Sequence, residues 1–147
     1  FLQARWLGQW YQGALSAQDA TPITLSEPGA GAEVVVELQR GASILGTVSH
    51  AGSPALVTAW VGVTTEASPG LFGSRLALGR DESYELRGLP DGDYRVGAWL
   101  CDRHESCPPE EVVWFPGTTQ WDEATTIAIR NGEDLTGIDI ELSLAKK

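Results

Sequence analysis

The chain has 147 residues and a formal net charge of −10, from 20 acidic and 10 basic side chains without a basic cluster. A surface of that sign repels phosphate backbones, which argues against a nucleic-acid partner. Glycine (17) and proline (8) are plentiful and no run of 18 apolar residues is present, so we expect an all-β protein without membrane insertion.

Apolar and polar residues alternate with a period of two between turn residues, which is the pattern of strands that have one buried face. After residue 41 the segments are evenly spaced, as is typical of a β-sandwich. Pro-Asp-Gly at 90–92 and Asn-Gly at 131–132 predict tight turns. The predicted strands are residues 42–49, 56–64, 71–78, 83–87, a segment that starts at Tyr94, 112–115, 125–130 and 136–143.

An internal repeat is present: the segment from Trp10 to Leu38 recurs without a gap 104 positions later, from Trp114 to Leu142. Self-similarity at a fixed spacing indicates one structural unit that is used again, so the chain is predicted to come from a modular array. The identical pairs are Trp10/Trp114, Gly13/Gly117, Ala20/Ala124, Thr21/Thr125, Ile23/Ile127, Glu37/Glu141 and Leu38/Leu142.

The flanks of the repeat indicate where the two copies differ. Residues 1–7 align with residues 94–100 at an offset of 93 positions, so the later copy holds 11 more residues, in the segment that contains its cysteines. We therefore divide the chain into two parts. Residues 1–40 are predicted to be the trailing strands of a preceding, incomplete β-sandwich repeat, and residues 41–147 a complete β-sandwich.

Two cysteines, Cys101 and Cys107, lie in one short polar segment and could bridge each other or, together with His104, bind a metal. A structural zinc site needs four ligands, and the other histidine, His50, lies near the opposite end of the module. We therefore favour a disulfide between Cys101 and Cys107, no metal, and an extracytoplasmic setting. Such a bond would close a loop of about seven residues and would restrain that loop rather than hold the fold.

The six tryptophans are the sharper signal of a binding surface. Alternation places Trp60 on the other face of its strand from Val61, and Trp99 on the other face of its strand from Ala98. Both indoles are therefore expected to point away from the core. If their strands are neighbours, the two form an exposed platform, which Trp121 could join from a polar loop. This platform would suit contact with a sugar ring or a protein. The alternative is packing against an adjacent module or a covering loop.

Carboxylate pairs are common, but all of them fall in predicted turns, where aspartate bonds to nearby backbone. Asp91 and Asp93 are the candidates for a weak calcium site, although no EF-hand spacing is present. Both histidines fall in predicted turns, and the chain has no GxSxG segment that would mark a serine nucleophile. We expect no catalytic residues, no cofactor and no enzymatic activity.

Four segments in order carry a resemblance to a known family: Ile44–Val48, Gly52–Pro54, Asp81–Leu86 and Gly88–Val96, the last with a Gly-Leu-Pro-turn-Tyr element. Together they resemble the carboxypeptidase regulatory-like domain in its tandem bacterial form. The resemblance covers residues 41–147 and, in its second half, residues 1–40. It implies a prealbumin-like, carbohydrate-binding-like Greek-key sandwich of seven to eight strands, secreted or at the cell surface, without catalysis. A fold does not determine a function.

We therefore expect a non-catalytic structural or adhesion module of a multi-domain secreted or cell-surface bacterial protein. Its partners would be neighbouring modules of the same protein or other copies of the chain. Two alternatives stay open. One is a carbohydrate-binding module whose exposed tryptophans contact a glycan. The other is a self-assembling extracellular filament subunit, completed by strand exchange between chains.

Overall fold

The computed structural model describes residues 6–51, 57–70, 72–78, 83–102, 109 and 111–143, and in these residues the fold is all-β. The strands are β1 (Ala42–Ala51), β2 (Val57–Thr65), β3 (Ser74–Ala77), β4 (Ser83–Leu89), β5 (Gly92–Asp102), β6 (Val113–Trp114), β7 (Ile127–Ile129) and β8 (Ile140–Ser143). Two 3₁₀ turns, Tyr11–Gly13 and Trp121–Glu123, are the helical segments in these ranges. Neither they nor anything else described forms a helix long and apolar enough to cross a membrane.

The eight strands form two sheets. The first has the order β4-β1-β8, in which β1 is antiparallel to β4 and parallel to β8. The second has the order β3-β2-β5-β6, with β7 also paired to β5, and its pairs are all antiparallel. The first and last strands of the sandwich therefore lie side by side and point the same way.

One core lies on the inner faces of the two sheets. In the second sheet Val61 pairs in register with Ala98 and Val63 with Val96, and all four side chains are buried. The apolar residues of the period-two pattern that predicted these strands are the residues whose side chains are buried. From the first sheet the core takes Ala42, Ile44, Val48, Tyr84, Leu86, Leu89, Ile140 and Leu142, and β7 adds Ile127 and Ile129.

The prediction of an all-β sandwich is confirmed, and each predicted strand has a counterpart, some of them shorter. The largest difference is in β8, which begins at Ile140 instead of residue 136. The chain before it already bonds to β1: the Leu45 N–H donates to the Leu135 carbonyl (2.8 Å), and the Ile138 N–H donates to the Leu45 carbonyl (3.2 Å). Gly137, with a φ of 80°, interrupts the regular ladder between these bonds.

Residues 6–40 differ from the prediction of trailing strands. Among them the structure has one isolated antiparallel bridge, between Trp6 and Arg40, and one 3₁₀ turn, but no strand. A strand needs a neighbouring strand to complete its backbone hydrogen bonds. In the described part of the chain β1 and β5 already have partners on both edges, so residues 6–40 cannot pair with them as the later copy does.

Candidate functional site

The outer face of the second sheet carries a row of aromatic side chains. Trp60 on β2 and Trp99 on β5 lie directly opposite each other in register, with ring centroids 6.3 Å apart and planes inclined by 15°. Both belong to the face opposite the core, because Val61 and Ala98, the next residues along their strands, are buried in the core. The sequence predicted the outer face for both indoles, and the pairing of β2 with β5 makes them neighbours.

The prediction that both indoles are exposed is wrong for Trp99, which is 1% exposed. Phe72, from the loop between β2 and β3, lies over it with a centroid distance of 4.6 Å. The same phenyl ring stacks on Trp114 at 5.5 Å with an interplanar angle of 9°. A covering loop, the alternative to the exposed platform, thus removes Trp99 from contact with a ligand, while Trp60 stays half-buried.

The row continues across β6 to Trp121. Trp114 packs over Gly97 of β5, where a Cβ atom would lie 2.8 Å from the indole ring, so this position has no room for a side chain. Trp121 meets Trp114 edge-on at 4.8 Å. We call Trp60, Trp99, Phe72, Trp114 and Trp121 the aromatic row.

Two arginines flank the aromatic row. The Arg75 guanidinium lies 5.6 Å from the ring centroid of Trp60, and that of Arg95 lies 4.4 Å from the centroid of Trp121. Arg95 also donates to the Trp121 carbonyl (2.6 Å) and forms an ion pair with Glu66 (3.2 Å). These contacts hold the Trp121 loop against the sheet.

One polar atom in the aromatic row is not satisfied. The Trp99 Nε1–H is buried and has no hydrogen-bond partner within the described residues. Burying such a donor costs free energy, which the stacking of Phe72 and Trp60 on the same ring offsets. The row therefore has the character of a second, smaller apolar cluster on the outer face, with Trp60 and Arg75 at its accessible edge.

The calcium candidates have other partners. Asp91 accepts the backbone N–H groups of Asn131 (2.7 Å) and Gly132 (2.8 Å), and Asp93 forms an ion pair with Arg130 (2.6 Å). These contacts join the β4–β5 turn to the turn after β7. In the described residues no group of three or more His, Cys, Asp or Glu side chains is arranged to hold a metal ion.

The proposed disulfide falls partly outside the described residues. Cys101 is half-buried near the end of β5, whereas Cys107 and His104 lie in the segment 103–108 that the structure does not describe. The pairing of Cys101 with Cys107 therefore stays a prediction.

A second feature of functional interest is an exposed set of apolar side chains in residues 6–40, which we call the N-terminal apolar face: Trp10, Ile23, Leu25, Val36 and Leu38. Each has a counterpart in the later copy that is buried in the sandwich, namely Trp114, Ile127, Ile129, Ile140 and Leu142. Trp10 is 52% exposed and Trp114 6%, while Leu25 is 57% exposed and Ile129 0%. The same sequence pattern is thus a core surface in one copy and a bare surface in the other.

The two copies also share two backbone hydrogen bonds at the tryptophan turn. The Trp10 N–H donates to the Ala14 carbonyl (2.8 Å), and the Trp114 N–H donates to the Thr118 carbonyl (2.7 Å), the equivalent pair 104 positions later. In both copies the tryptophan carbonyl accepts the N–H of the glycine three residues on, at 3.0 and 2.7 Å. At this turn the two copies therefore share backbone hydrogen bonds as well as sequence.

Sequence reasoning missed Phe72 and the place of Trp114 in the aromatic row. Phe72 follows a loop proline and glycine, Pro69 and Gly70, and nothing in the alternation of β2 or β3 indicates that it folds back over Trp99. Trp114 could have been assigned to the outer face, because Val113 beside it packs against the core. Comparisons of the chain with protein-family models, curated proteins and solved structures found no match.

Proposed function

We propose that this chain is a non-catalytic structural unit that transmits tension within a multi-domain secreted or cell-surface protein. The observation that supports this proposal most directly is the parallel pairing of β1 with β8. The chain enters the sandwich at the start of β1 and leaves it at the end of β8, so these two points lie at opposite ends of the pair. Pulling them apart slides one strand along the other.

In this geometry the hydrogen bonds along the pair are loaded together. Residues Val48–Ala51 pair in register with Ile140–Ser143, and the bonds at Leu45 extend the contact toward the start of β1. Side chains add to it: the Thr47 hydroxyl donates to Asp139 (2.8 Å), and the Tyr84 hydroxyl donates to the Ile138 carbonyl (2.6 Å). Because no single bond can open first, forced unfolding is expected to be slow, and this rate governs resistance to force.

The setting of this unit rests on the sequence. The resemblance to the carboxypeptidase regulatory-like domain and the predicted pairing of Cys101 with Cys107 both favour an extracytoplasmic location. The internal repeat favours a modular array, in which neighbouring units are the partners. Adhesion through an outer face is compatible with this arrangement and would add a ligand to the same scaffold.

A pulling experiment on single molecules tests the proposal. The full chain is stretched in one experiment between its two termini, and in a second between the N terminus and the turn at Pro90. The second geometry peels β1 from β4, whose pairing from Ala42 with Leu89 is antiparallel and opens one pair at a time. At equal pulling speed we expect a clearly higher unfolding force between the termini. Equal or lower force between the termini contradicts the proposal.

A carbohydrate-binding module is the second candidate, and one observation favours it. Trp60 is half-buried at the accessible edge of the aromatic row, with the exposed Arg75 beside its ring, and an apolar surface with a nearby donor is a common design for ligand sites. A glycan array with the wild type and Trp60→Ala tests this candidate, with Trp10→Ala as a matched control. Absence of glycan binding by the wild type removes the candidate.

A further inference from the structure

We infer that Ile23, Leu25, Val36 and Leu38 of the N-terminal apolar face form the inner surface of an incomplete β-sandwich. Its partner is a β-sandwich fragment of the same fold as β1 to β5, paired in the register that the later copy uses. The inference rests on the proposed modular function and specifies the partner of residues 6–40. It concerns a surface that the sandwich of residues 42–143 does not need for its own core.

The first argument is the agreement between the two copies at the apolar positions and at one acidic position. Four residues of the N-terminal apolar face correspond to core residues of the later copy, and Trp10 corresponds to Trp114 of the aromatic row. The acidic residue between two of them also corresponds: Glu37 is identical to Glu141, which is exposed on β8 between the buried Ile140 and Leu142. An alternation with one apolar and one charged face fits a strand at the surface of a sandwich.

The second argument is the interface that the later copy already makes. There β8 runs parallel to β1 with Ile140 opposite Val48, and β7 runs antiparallel to β5 with Ile127 opposite Tyr94. If the earlier copy pairs in the same way, Val36 lies opposite a residue equivalent to Val48. Ile23 then lies opposite a residue equivalent to Tyr94. Both requirements are met by one fragment that has a β1-type and a β5-type strand.

The third argument concerns the tryptophan turn. Trp114 lies flat on β5 because Gly97 has no side chain, and its turn has the same two backbone hydrogen bonds as the turn at Trp10. The earlier copy therefore already has the two hydrogen bonds of the turn whose tryptophan packs on a glycine of β5.

The chain's own sandwich is not the partner. In the described residues the edges of β1 are taken by β4 and β8, and those of β5 by β2, β6 and β7. Residues 6–40 could enter only by displacing their own counterparts, which are held in the same chain. In a separate fragment without its last three strands, the edge of β1 that β8 occupies and the edge of β5 that β6 and β7 occupy are open. Strand addition to such an edge is a known mode of recognition.

The test is a chain extended at its N terminus by a second copy of residues 41–102, which carries the sequences of β1 to β5, joined directly to Phe1. Hydrogen exchange is then measured at Ile23, Leu25, Val36 and Leu38. The control is the same extended chain with aspartate in place of the grafted copy of Ile44, a residue that is fully buried in the sandwich.

We expect the four amides to exchange as slowly as those of β7 and β8 in the extended chain, and rapidly in the control and in the original chain. Fast exchange in the extended chain overturns the inference. So does a concentration-dependent oligomer of the original chain in which these amides are already protected, because the partner would then be a second copy of the chain, as in a filament. Neither result alters the pulling experiment, which depends on β1 and β8 of the sandwich.

Discussion

A Cβ atom at Gly46 would lie 1.8 Å from the carbonyl oxygen of Ile138. Gly46 is in the middle of β1, and the segment of Ile138 crosses directly over it on the way to β8. The absence of a side chain at this position is what allows the last part of the chain to run alongside the first strand. The parallel pair on which the proposed resistance to tension depends therefore requires a glycine here.

Gly46→Ala is expected to lower the free energy of unfolding by about 3 kcal/mol or more, because the methyl group collides with backbone that cannot move without breaking the bonds of β8. Urea denaturation measures the change. Gly73→Ala is the control, since a Cβ atom at Gly73 meets nothing within 4 Å and its φ is not in the left-handed region. Equal losses in the two variants would mean that the close approach at Gly46 is not what matters.

The two tryptophans of the repeat predict a matched pair of effects. Trp114→Ala removes a buried ring from contact with Phe72, Gly97 and Trp121, and is expected to cost about 3–5 kcal/mol of stability. Trp10→Ala removes a ring that is half in solvent and is expected to cost less than about 1 kcal/mol. Thermal or urea denaturation of the original chain compares them. A large loss on Trp10→Ala would indicate that residues 6–40 already share a core.

The two aspartates of the β4–β5 turn are expected to differ. Asp91→Ala leaves the N–H groups of Asn131 and Gly132 without their acceptor, at a cost of about 2 kcal/mol. Asp93→Ala removes an exposed ion pair with Arg130, worth at most about 1 kcal/mol. Added calcium should change neither stability. A calcium-dependent rise in melting temperature that Asp91→Ala abolishes would support a calcium site at Asp91.

Stability should fall at alkaline pH because of two buried tyrosines. Burial raises the pKa of Tyr84 above its usual value, with a smaller contribution from the charge of Asp139, and burial and then Asp91 raise the pKa of Tyr94 in the same direction. Above about pH 10 the unfolded chain loses these protons while the folded chain keeps them, so the unfolded state is favoured. The contribution is complete below pH 10 and is lost as the pH rises toward the folded-state values.

Denaturation curves between pH 8 and 11 check this expectation. Tyr84→Phe should be less stable at pH 8, because it lacks the hydroxyl bond to Ile138, but should lose stability less steeply above pH 10. An unchanged slope in Tyr84→Phe would assign the alkaline loss to other groups.

Local pattern was sufficient for much of the fold. The alternation of Val61, Val63, Val96 and Ala98 with outer residues predicted both the strands and their buried face, because a pleated strand sends successive side chains to opposite sides. The same reasoning placed Trp60 and Trp99 on one outer face. The burial of Trp99 could not be read in this way, since it depends on Phe72, which lies in the loop before β3 instead of in the predicted strand 71–78.

Contacts between segments that are distant in the sequence could not be predicted either, because alternation describes only neighbouring residues. Asp91 suggested a turn, and the turn is present, but its bonds to Asn131 and Gly132 link residues 40 positions apart. The collision that forbids a side chain at Gly46 likewise involves a segment some 90 positions later. A sequence that alternates correctly leaves open which strands become neighbours.

The sequence by itself determined that the chain is all-β and that one unit is present twice, because alternation and repetition are properties of residue order. Only the tertiary structure decided that Trp114, Ile129 and Leu142 are buried while their counterparts Trp10, Leu25 and Leu38 are exposed. The physical reason is that a side chain is buried by what packs against it. The later copy has β1 and β5 beside it, and in the described residues the earlier copy has no such strands.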